Sequence, residues 1–109
     1  MNMNEYQALA ARTIRQDLDA VQVAFHALHG MASEVGEIHG LYQKTYQGHE
    51  LHAGDMKHEI GDLLWFIAEY CTACGWQLED VARMNIEKLL GRYPDGFDQE
   101  RSLHRAEEG

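Results

Sequence analysis

The chain has 109 residues, of which 45% are hydrophobic and 25% are charged, a composition that argues against disordered and fibrous proteins. Its formal net charge of −9 leaves no large basic surface for a phosphate backbone, so we expect no nucleic-acid partner. Its most apolar run, Leu63 to Ile67, is far shorter than the roughly 20 residues that span a bilayer, and residues 1–6 lack the pattern of a signal peptide, which together predict a cytoplasmic protein without a membrane segment.

The first two predicted helices span about residues 4–15 and 20–46. Asn4 is the expected N-cap of the first helix. The second is predicted from apolar residues that recur at spacings of three and four, which are Val21, Ala24, Leu28, Met31, Val35, Ile38 and Tyr42. Glycines inside this helix lower its propensity by roughly 1 kcal/mol each relative to alanine, which indicates close helix packing or a local bend. They are Gly30, Gly36 and Gly40.

A third helix is predicted from about residue 55 to 74, with Asp55 as its cap and Gly75 as its end. A fourth follows from about 78 to 93 and is stopped by Pro94. Residues 98–109 are predicted to be a polar tail. Short connections favour antiparallel neighbours, so we expect one all-α domain over residues 1–109, an antiparallel four-helix bundle that assembles into an oligomer.

Two pairs of acidic residues stand out in the second and third helices: Glu34 with Glu37, and Glu59 with Asp62. Residues three apart lie on one face of a helix, so each pair presents its carboxylates in the same direction. In an antiparallel hairpin that turns at Gly48, the two pairs also stand at similar heights. The spacing therefore predicts a cluster of four carboxylates.

Such a cluster in a partly dry site is unfavourable, and its pKa values rise, unless cations neutralise it. All-oxygen ligands select hard cations, so Mg²⁺ is expected, with Mn²⁺ as a substitute. These ions can bridge to triphosphate oxygens, polarise the attacked phosphorus and lower the pKa of an attacking water. The spacing alone leaves a second interpretation open, in which both acidic pairs are ordinary solvent-facing residues.

Other metal and redox sites fit the sequence less well. A di-iron bundle requires Glu-x-x-His motifs, and no glutamate here is followed by histidine three residues later. Cys71 and Cys74 lie in an apolar stripe of the third helix, so we interpret them as buried side chains instead of a redox couple or half a zinc site. The histidines near the acidic cluster match no zinc motif and are interpreted as loop and surface residues; they are His49, His52 and His58.

The fourth predicted helix carries Asn85, Lys88 and Arg92 on one face. This face could hold phosphate, with Lys88 as a point charge and Arg92 as a forked donor. The alternative is a solvated helix end, where cations complement the helix dipole. Trp65 and Trp76 are assigned to the core or to an interface, with base stacking as the alternative.

Several segments together resemble the MazG-like family of all-α nucleoside triphosphate pyrophosphohydrolases. The resemblance covers most of the chain, and the combination is much more specific than either acidic pair. The segments are Asn4 to Gln7, His26 to Glu37, Glu59 to Trp65, Asn85 to Leu89 and Arg92 to Phe97.

This resemblance implies Mg²⁺-dependent hydrolysis between the α and β phosphates of a nucleoside triphosphate, which gives a monophosphate and pyrophosphate and serves nucleotide-pool housecleaning. It also implies a homodimer or homotetramer. The residues that match the family's metal-binding acids are Glu34, Glu37, Glu59 and Asp62. Those that match positions near the nucleotide are Asn85, Lys88 and Arg92, with Lys88 also expected to take part in catalysis, and Phe66, Trp65 and Tyr70 are candidates to line the base pocket.

One departure from the family concerns Ser33, because many members have a glutamate immediately before the first metal-binding glutamate. Serine cannot replace that glutamate as a general base, so the group that activates water is one of the four acids or the metal-bound water itself. The number of catalytic metals is left open. The alternatives to an enzyme are a regulatory module that binds a nucleotide or metal without turnover, and a purely structural helical oligomer. The preferred base and sugar are not predicted.

Overall fold

The computed structural model describes residues 1–105. In this part of the chain the regular elements are all helices, and β-structure is limited to an isolated bridge between Pro94 and Gly96. The all-α prediction is confirmed. The helices are α1 (Met3–Ala11), α2 (Ala20–Tyr46), α3 (Ala53–Cys74), α4 (Leu78–Arg92) and α5 (Gln99–Leu103). Helix α5 occupies part of the predicted polar tail, and its N-cap is Asp98, whose side chain accepts a hydrogen bond from the Glu100 backbone N–H. The end of that tail, residues 106–109, lies outside the described residues.

The predicted N-caps of two helices are wrong. Asn2, and not Asn4, caps α1 by accepting a hydrogen bond from the Glu5 backbone N–H. His52 is the N-cap of α3 and makes no side-chain cap hydrogen bond, while Asp55 lies in the first turn. In both cases a polar residue two or three positions further along the chain had the right chemistry but the wrong position, a common uncertainty at helix ends.

Helix α1 also ends at Ala11, four residues before the predicted end. The Thr13 hydroxyl donates to the Ala10 carbonyl at 2.7 Å, and the Thr13 backbone N–H contacts the same oxygen at 3.0 Å. These bonds close a tighter turn, which satisfies a carbonyl at the helix end and redirects the chain toward α2.

The chain divides into two compact units, Met1–Leu78 and the part from Glu79 onward. In the first unit both α1 and α2 pack against α3. The core centre consists of Ala10, Ala68, Cys71 and Leu78, with Tyr6, Leu64, Trp65 and Ile67 packed around it. Burial raises the pKa of the Cys71 thiol, which fits the interpretation of Cys71 as a buried side chain.

Helices α2 and α3 are antiparallel, because residues that advance along α2 meet residues that go backward along α3. His26 contacts Glu69, Gly30 lies against Phe66, and Glu34 approaches Glu59. The predicted antiparallel hairpin of these helices is thus confirmed. It places both acidic pairs of the sequence at the same level.

The buried face of α2 differs from the predicted apolar stripe. Val23, Ala27 and Gly30 are buried, whereas most of the large apolar residues in that stripe are exposed: Val21, Leu28, Val35 and Tyr42. Two of these three buried residues, Ala27 and Gly30, are small, and at Gly30 the Phe66 ring of α3 lies so close that a Cβ would collide with it. Periodicity identified the helix correctly, but it selected a neighbouring face.

The second unit contains α5 and α4 from Glu79 onward. Its chain reverses through Gly96, whose φ of 98° lies in the left-handed region that favours glycine. The rings of Tyr93 and Phe97 pack at 5.5 Å, and Arg101 donates to the Arg92 carbonyl at 3.3 Å. Several large apolar residues of α4 are exposed, among them Met84, Ile86 and Leu90. None of the helices within residues 1–105 has the length and apolarity needed to cross a membrane.

Candidate active site

Three carboxyl groups converge between α2 and α3. Glu34 comes from α2, while Glu59 and Asp62 come from adjacent turns of α3, and one oxygen of each lies within 4.8 Å of the others. We call these residues the acidic cluster. The antiparallel register brings Glu34 to the level of Glu59, and the three-residue spacing on α3 adds Asp62 on the same side. Three carboxylate oxygens at this separation can coordinate one cation.

The acidic cluster is strained electrostatically without a cation. The Oε2 atom of Glu34 is buried and has no hydrogen-bond partner within the described part of the chain. Sharing of a proton with Glu59, loss of solvation, and the negative charges of Glu59, Asp62 and Glu37 raise the pKa of Glu34 from 4.5 to about 7. Each of these effects stabilises the protonated acid. A bound cation would instead favour the deprotonated carboxylate and lower its pKa.

Glu37 is positioned differently from the other predicted metal ligands. It is exposed and lies outside the group of three, although its charge contributes to the raised pKa of Glu34. The structure thus brings together three of the four predicted acids and leaves the fourth at the edge of the cluster. Its role as a metal ligand stays a prediction.

Aromatic rings lie next to the acidic cluster along α3. The Phe66 ring packs edge-on against Trp65 at 5.2 Å and against His26 at 5.6 Å. Phe66 also covers Gly30, where an added Cβ would collide with the ring. Tyr70 packs instead against Trp76, with ring centroids 6.0 Å apart. Phe66 and Trp65 therefore share one aromatic group, and Tyr70 belongs to another.

Sequence reasoning missed a polar pair beside these rings. Glu69 is only 3% exposed, and Nδ1 of His26 lies 2.9 Å from both of its carboxylate oxygens. The signal was the charged residue itself, which follows directly after an apolar run of α3. Its partner is 43 positions earlier in the chain, and no local pattern links the two.

The family to which the chain belongs follows from comparison with known proteins. The model of the MazG nucleotide pyrophosphohydrolase domain matches residues 22–97, a range that contains the whole acidic cluster. The chain belongs to the MazG family. Gene 37 protein of Mycobacterium phage L5 is similar to this MazG chain, with 25% identity over 108 residues that cover 91% of the chain and 95% of the phage protein. No solved structure matches this chain.

The acidic cluster agrees with membership in the MazG family, because MazG proteins are generally dependent on divalent metals. The remaining predicted residues lie on α4 of the MazG domain. Asn85 and Lys88 are exposed there, and Arg92 is half-buried at its end. All three belong to the second unit, and their contacts with a nucleotide stay a prediction.

We expect the pH to control the stability of this MazG domain through Glu34. The unfolded chain releases the Glu34 proton near pH 4.5, whereas the folded chain holds it to about pH 7. The folded state is therefore penalised increasingly as the pH rises between these values, and the penalty is complete above the folded pKa. Thermal unfolding in EDTA should show a melting temperature that falls across this window.

The matched control is Glu34→Gln, which cannot titrate at this position. Its melting temperature should fall less between the same two pH values, and the difference between the two proteins isolates Glu34 from the general effect of the acidic chain. Added Mg²⁺ should stabilise the native protein more at pH 8 than at pH 5.5, because metal binding requires the deprotonated acid. Identical pH profiles for the two proteins would contradict this assignment.

Proposed function

We propose that the chain is a Mg²⁺-dependent nucleoside triphosphate pyrophosphohydrolase that cleaves between the α and β phosphates. The products are a nucleoside monophosphate and pyrophosphate, and the role is nucleotide-pool housecleaning. The observation that carries this proposal is the acidic cluster in a chain of the MazG family. Its three carboxyls converge, and one buried oxygen, Oε2 of Glu34, has no hydrogen-bond partner within residues 1–105. That combination fits a site that handles phosphate through a metal.

The donor set of the acidic cluster fits a hard cation. Glu34, Glu59 and Asp62 offer only carboxylate oxygens, and the buried oxygen of Glu34 has no other partner among the described residues. Oxygen ligands favour Mg²⁺, with Mn²⁺ as a substitute. When bound, the ion supplies charge neutralisation and Lewis-acid polarisation of the phosphates. The charge of Glu37 acts on Glu34, and we propose that Glu37 also contributes to metal binding, through a bound water or through a second ion.

We propose that Glu37 takes the proton of the attacking water. The other three carboxyls converge on one another, whereas the Glu37 carboxyl is exposed and outside that group. Water then attacks phosphorus, its proton passes to Glu37, and the bond to the bridging oxygen breaks so that pyrophosphate leaves. Ser33 has no group of suitable basicity for this step. Lys88, Asn85 and Arg92 are proposed to neutralise or orient the phosphates, and Phe66 and Trp65 to contact the nucleoside.

The direct test is pyrophosphate release from a panel of canonical and modified nucleoside triphosphates, with Mg²⁺ and with EDTA. We expect release that requires the metal, that Mn²⁺ restores in part, and that yields one monophosphate for each pyrophosphate. Phosphate release with a diphosphate product would place the cleaved bond elsewhere. Absence of pyrophosphate from every triphosphate, together with nucleotide-dependent thermal stabilisation, would favour a regulatory module that binds without turnover.

We further propose that residues 1–109 act as a single MazG-like domain in a cytoplasmic homodimer or homotetramer. Support comes from the large apolar side chains that each unit leaves exposed, among them Phe25 and Tyr42 of α2 and Met84 and Leu90 of α4. Burial of such large apolar side chains against a second copy of the chain would stabilise the assembly. Light scattering at several protein concentrations distinguishes a dimer from a tetramer, and a monomer throughout would reject the proposal.

A further inference from the structure

A cavity of about 260 Å³ lies beside the α2–α3 pair, under the segment that joins α1 to α2. Leu18 and Val23 form an apolar part of its wall, and Trp65 contributes an aromatic surface. The Trp65 indole is held in place by Thr13, whose hydroxyl accepts its N–H at 2.8 Å. The wall of the cavity thus contains an indole whose N–H is already paired with Thr13, together with the ring of His26.

The polar side chains that line this cavity are Thr13, Arg15, His26 and Glu69. Among these four only Glu69 is buried, and the guanidinium of Arg15 is paired with Asp17. His26 Nδ1, 2.9 Å from both Glu69 oxygens, can donate one N–H to them. A carboxylate has about four lone-pair sites, so one donor leaves acceptor capacity toward the cavity. Burial of an acid costs free energy unless its hydrogen bonds are satisfied. Glu69 takes no part in the acidic cluster, and this cost suggests a ligand with N–H donors.

The position of Glu69 relative to the acidic cluster suits a nucleotide. Asp62, Trp65 and Glu69 are spaced three and four apart, so they share one face of α3. Seven residues of α-helix separate Asp62 from Glu69 by about 10 Å. A ribose and a base placed end to end bridge a gap of this order when the phosphates lie at the acidic cluster. This step rests on the proposed function, which places the phosphates there.

We propose that this cavity binds the base of the substrate and that Glu69 selects guanine. Guanine presents two adjacent N–H donors on its Watson–Crick edge, which match the two oxygens of one carboxylate in a bidentate pair. Adenine and cytosine present an amino group beside a ring acceptor, and uracil presents one N–H between two carbonyls. A carboxylate repels each of those acceptors. The indole of Trp65 offers the stacking surface that any base requires.

The test uses Trp65 as its own reporter of base binding. The chain has two tryptophans, so Trp76→Phe leaves Trp65 alone. Titrations in Mg²⁺ with the monophosphates of guanosine, inosine, adenosine and uridine then measure binding without catalysis, because a monophosphate has no bond between α and β phosphates to cleave. We expect guanosine monophosphate to quench the fluorescence and to bind about tenfold or more tightly than inosine monophosphate, which lacks the second donor.

Substitution of Glu69 separates base selection from general binding. In the Trp76→Phe background, Glu69→Gln should weaken guanosine monophosphate about tenfold or more and bring it close to inosine monophosphate. The matched control is Glu50→Gln, which changes an exposed glutamate of the α2–α3 loop in the same way. Leu18→Phe is a second variant that keeps the His26–Glu69 pair and narrows the cavity, so it should abolish quenching by all four monophosphates. Circular dichroism verifies that each variant is folded.

The outcomes separate this inference from the hydrolysis itself. Equal affinities for the four monophosphates, or a guanine preference that survives in Glu69→Gln, overturn the inference. Pyrophosphate release from the panel without any response of Trp65 also overturns it and leaves the proposed function intact. Guanine-selective quenching that depends on Glu69, in a protein that releases no pyrophosphate, supports the inference and rejects hydrolysis.

Discussion

Replacement of Glu59 by glutamine should remove nearly all Mg²⁺-dependent pyrophosphate release. The change keeps the size of the side chain but deletes one of three charges in the acidic cluster. Loss of a residue that merely supports a metal ligand typically costs about 10- to 100-fold in affinity or activity. Glu59 is itself proposed as a ligand, so we expect kcat/KM to fall by at least about 100-fold.

The fold of the Glu59→Gln protein should be unharmed, which separates this loss from unfolding. Without metal the variant should melt at a higher temperature than the native protein at pH 8, because Glu34 then has one negative neighbour fewer. The stabilisation by Mg²⁺ that the native protein shows should disappear. Glu50→Gln is again the control for an exposed glutamate and should retain native activity. Full activity in Glu59→Gln would exclude Glu59 from the metal site.

The sequence predicts α2 and α4 to within a residue because the signals for these helices are local. Apolar spacing along α2 fixes its extent, and Pro94 limits α4. The end of α1 was predicted four residues too late, and α5 was not predicted, since its residues were assigned to a polar tail. Their boundaries depend on short-range hydrogen bonds, such as those of Thr13 and Asp98, that many polar residues could form equally well. Composition alone does not choose among such residues.

The acidic cluster was predictable for the same reason, since each helix presents its acids at a three-residue spacing. Antiparallel pairing then brings Glu34 to Glu59 with little freedom in register. The separation of Glu37 from the group was not predictable, because it depends on how far each side chain leans across the helix interface. The His26–Glu69 pair was missed because neither residue has a neighbour in sequence that indicates the other.

Among the α2 glycines, only the role of Gly30 is explained by close packing. A Cβ at Gly30 collides with the Phe66 ring, whereas Gly36 and Gly40 have open space at that position. From the sequence, close packing or a local bend was equally possible at all three glycines. Only the tertiary contacts distinguish them, and these contacts are not visible in the local sequence.

Substitution of Gly30 by alanine should therefore destabilise the first unit, against the usual preference of helices for alanine. Overpacking of a tight contact costs about 1–3 kcal/mol, and the gain in helix propensity returns up to about 1 kcal/mol. We expect a net fall of roughly 1–2 kcal/mol in the free energy of unfolding, measured by urea denaturation. Because Phe66 contacts His26 and Trp65, base binding should weaken as well.

Two further variants identify the collision as the cause. Gly40→Ala lies in the same helix with nothing near its Cβ position, so it should leave stability unchanged or raise it by up to about 1 kcal/mol. Phe66→Leu in combination with Gly30→Ala gives the added methyl group room. The double variant should lose less stability than the sum of the two single changes, since residues in contact are not additive. Strict additivity, or an equal loss in Gly40→Ala, would show that the ring of Phe66 does not set the requirement for glycine.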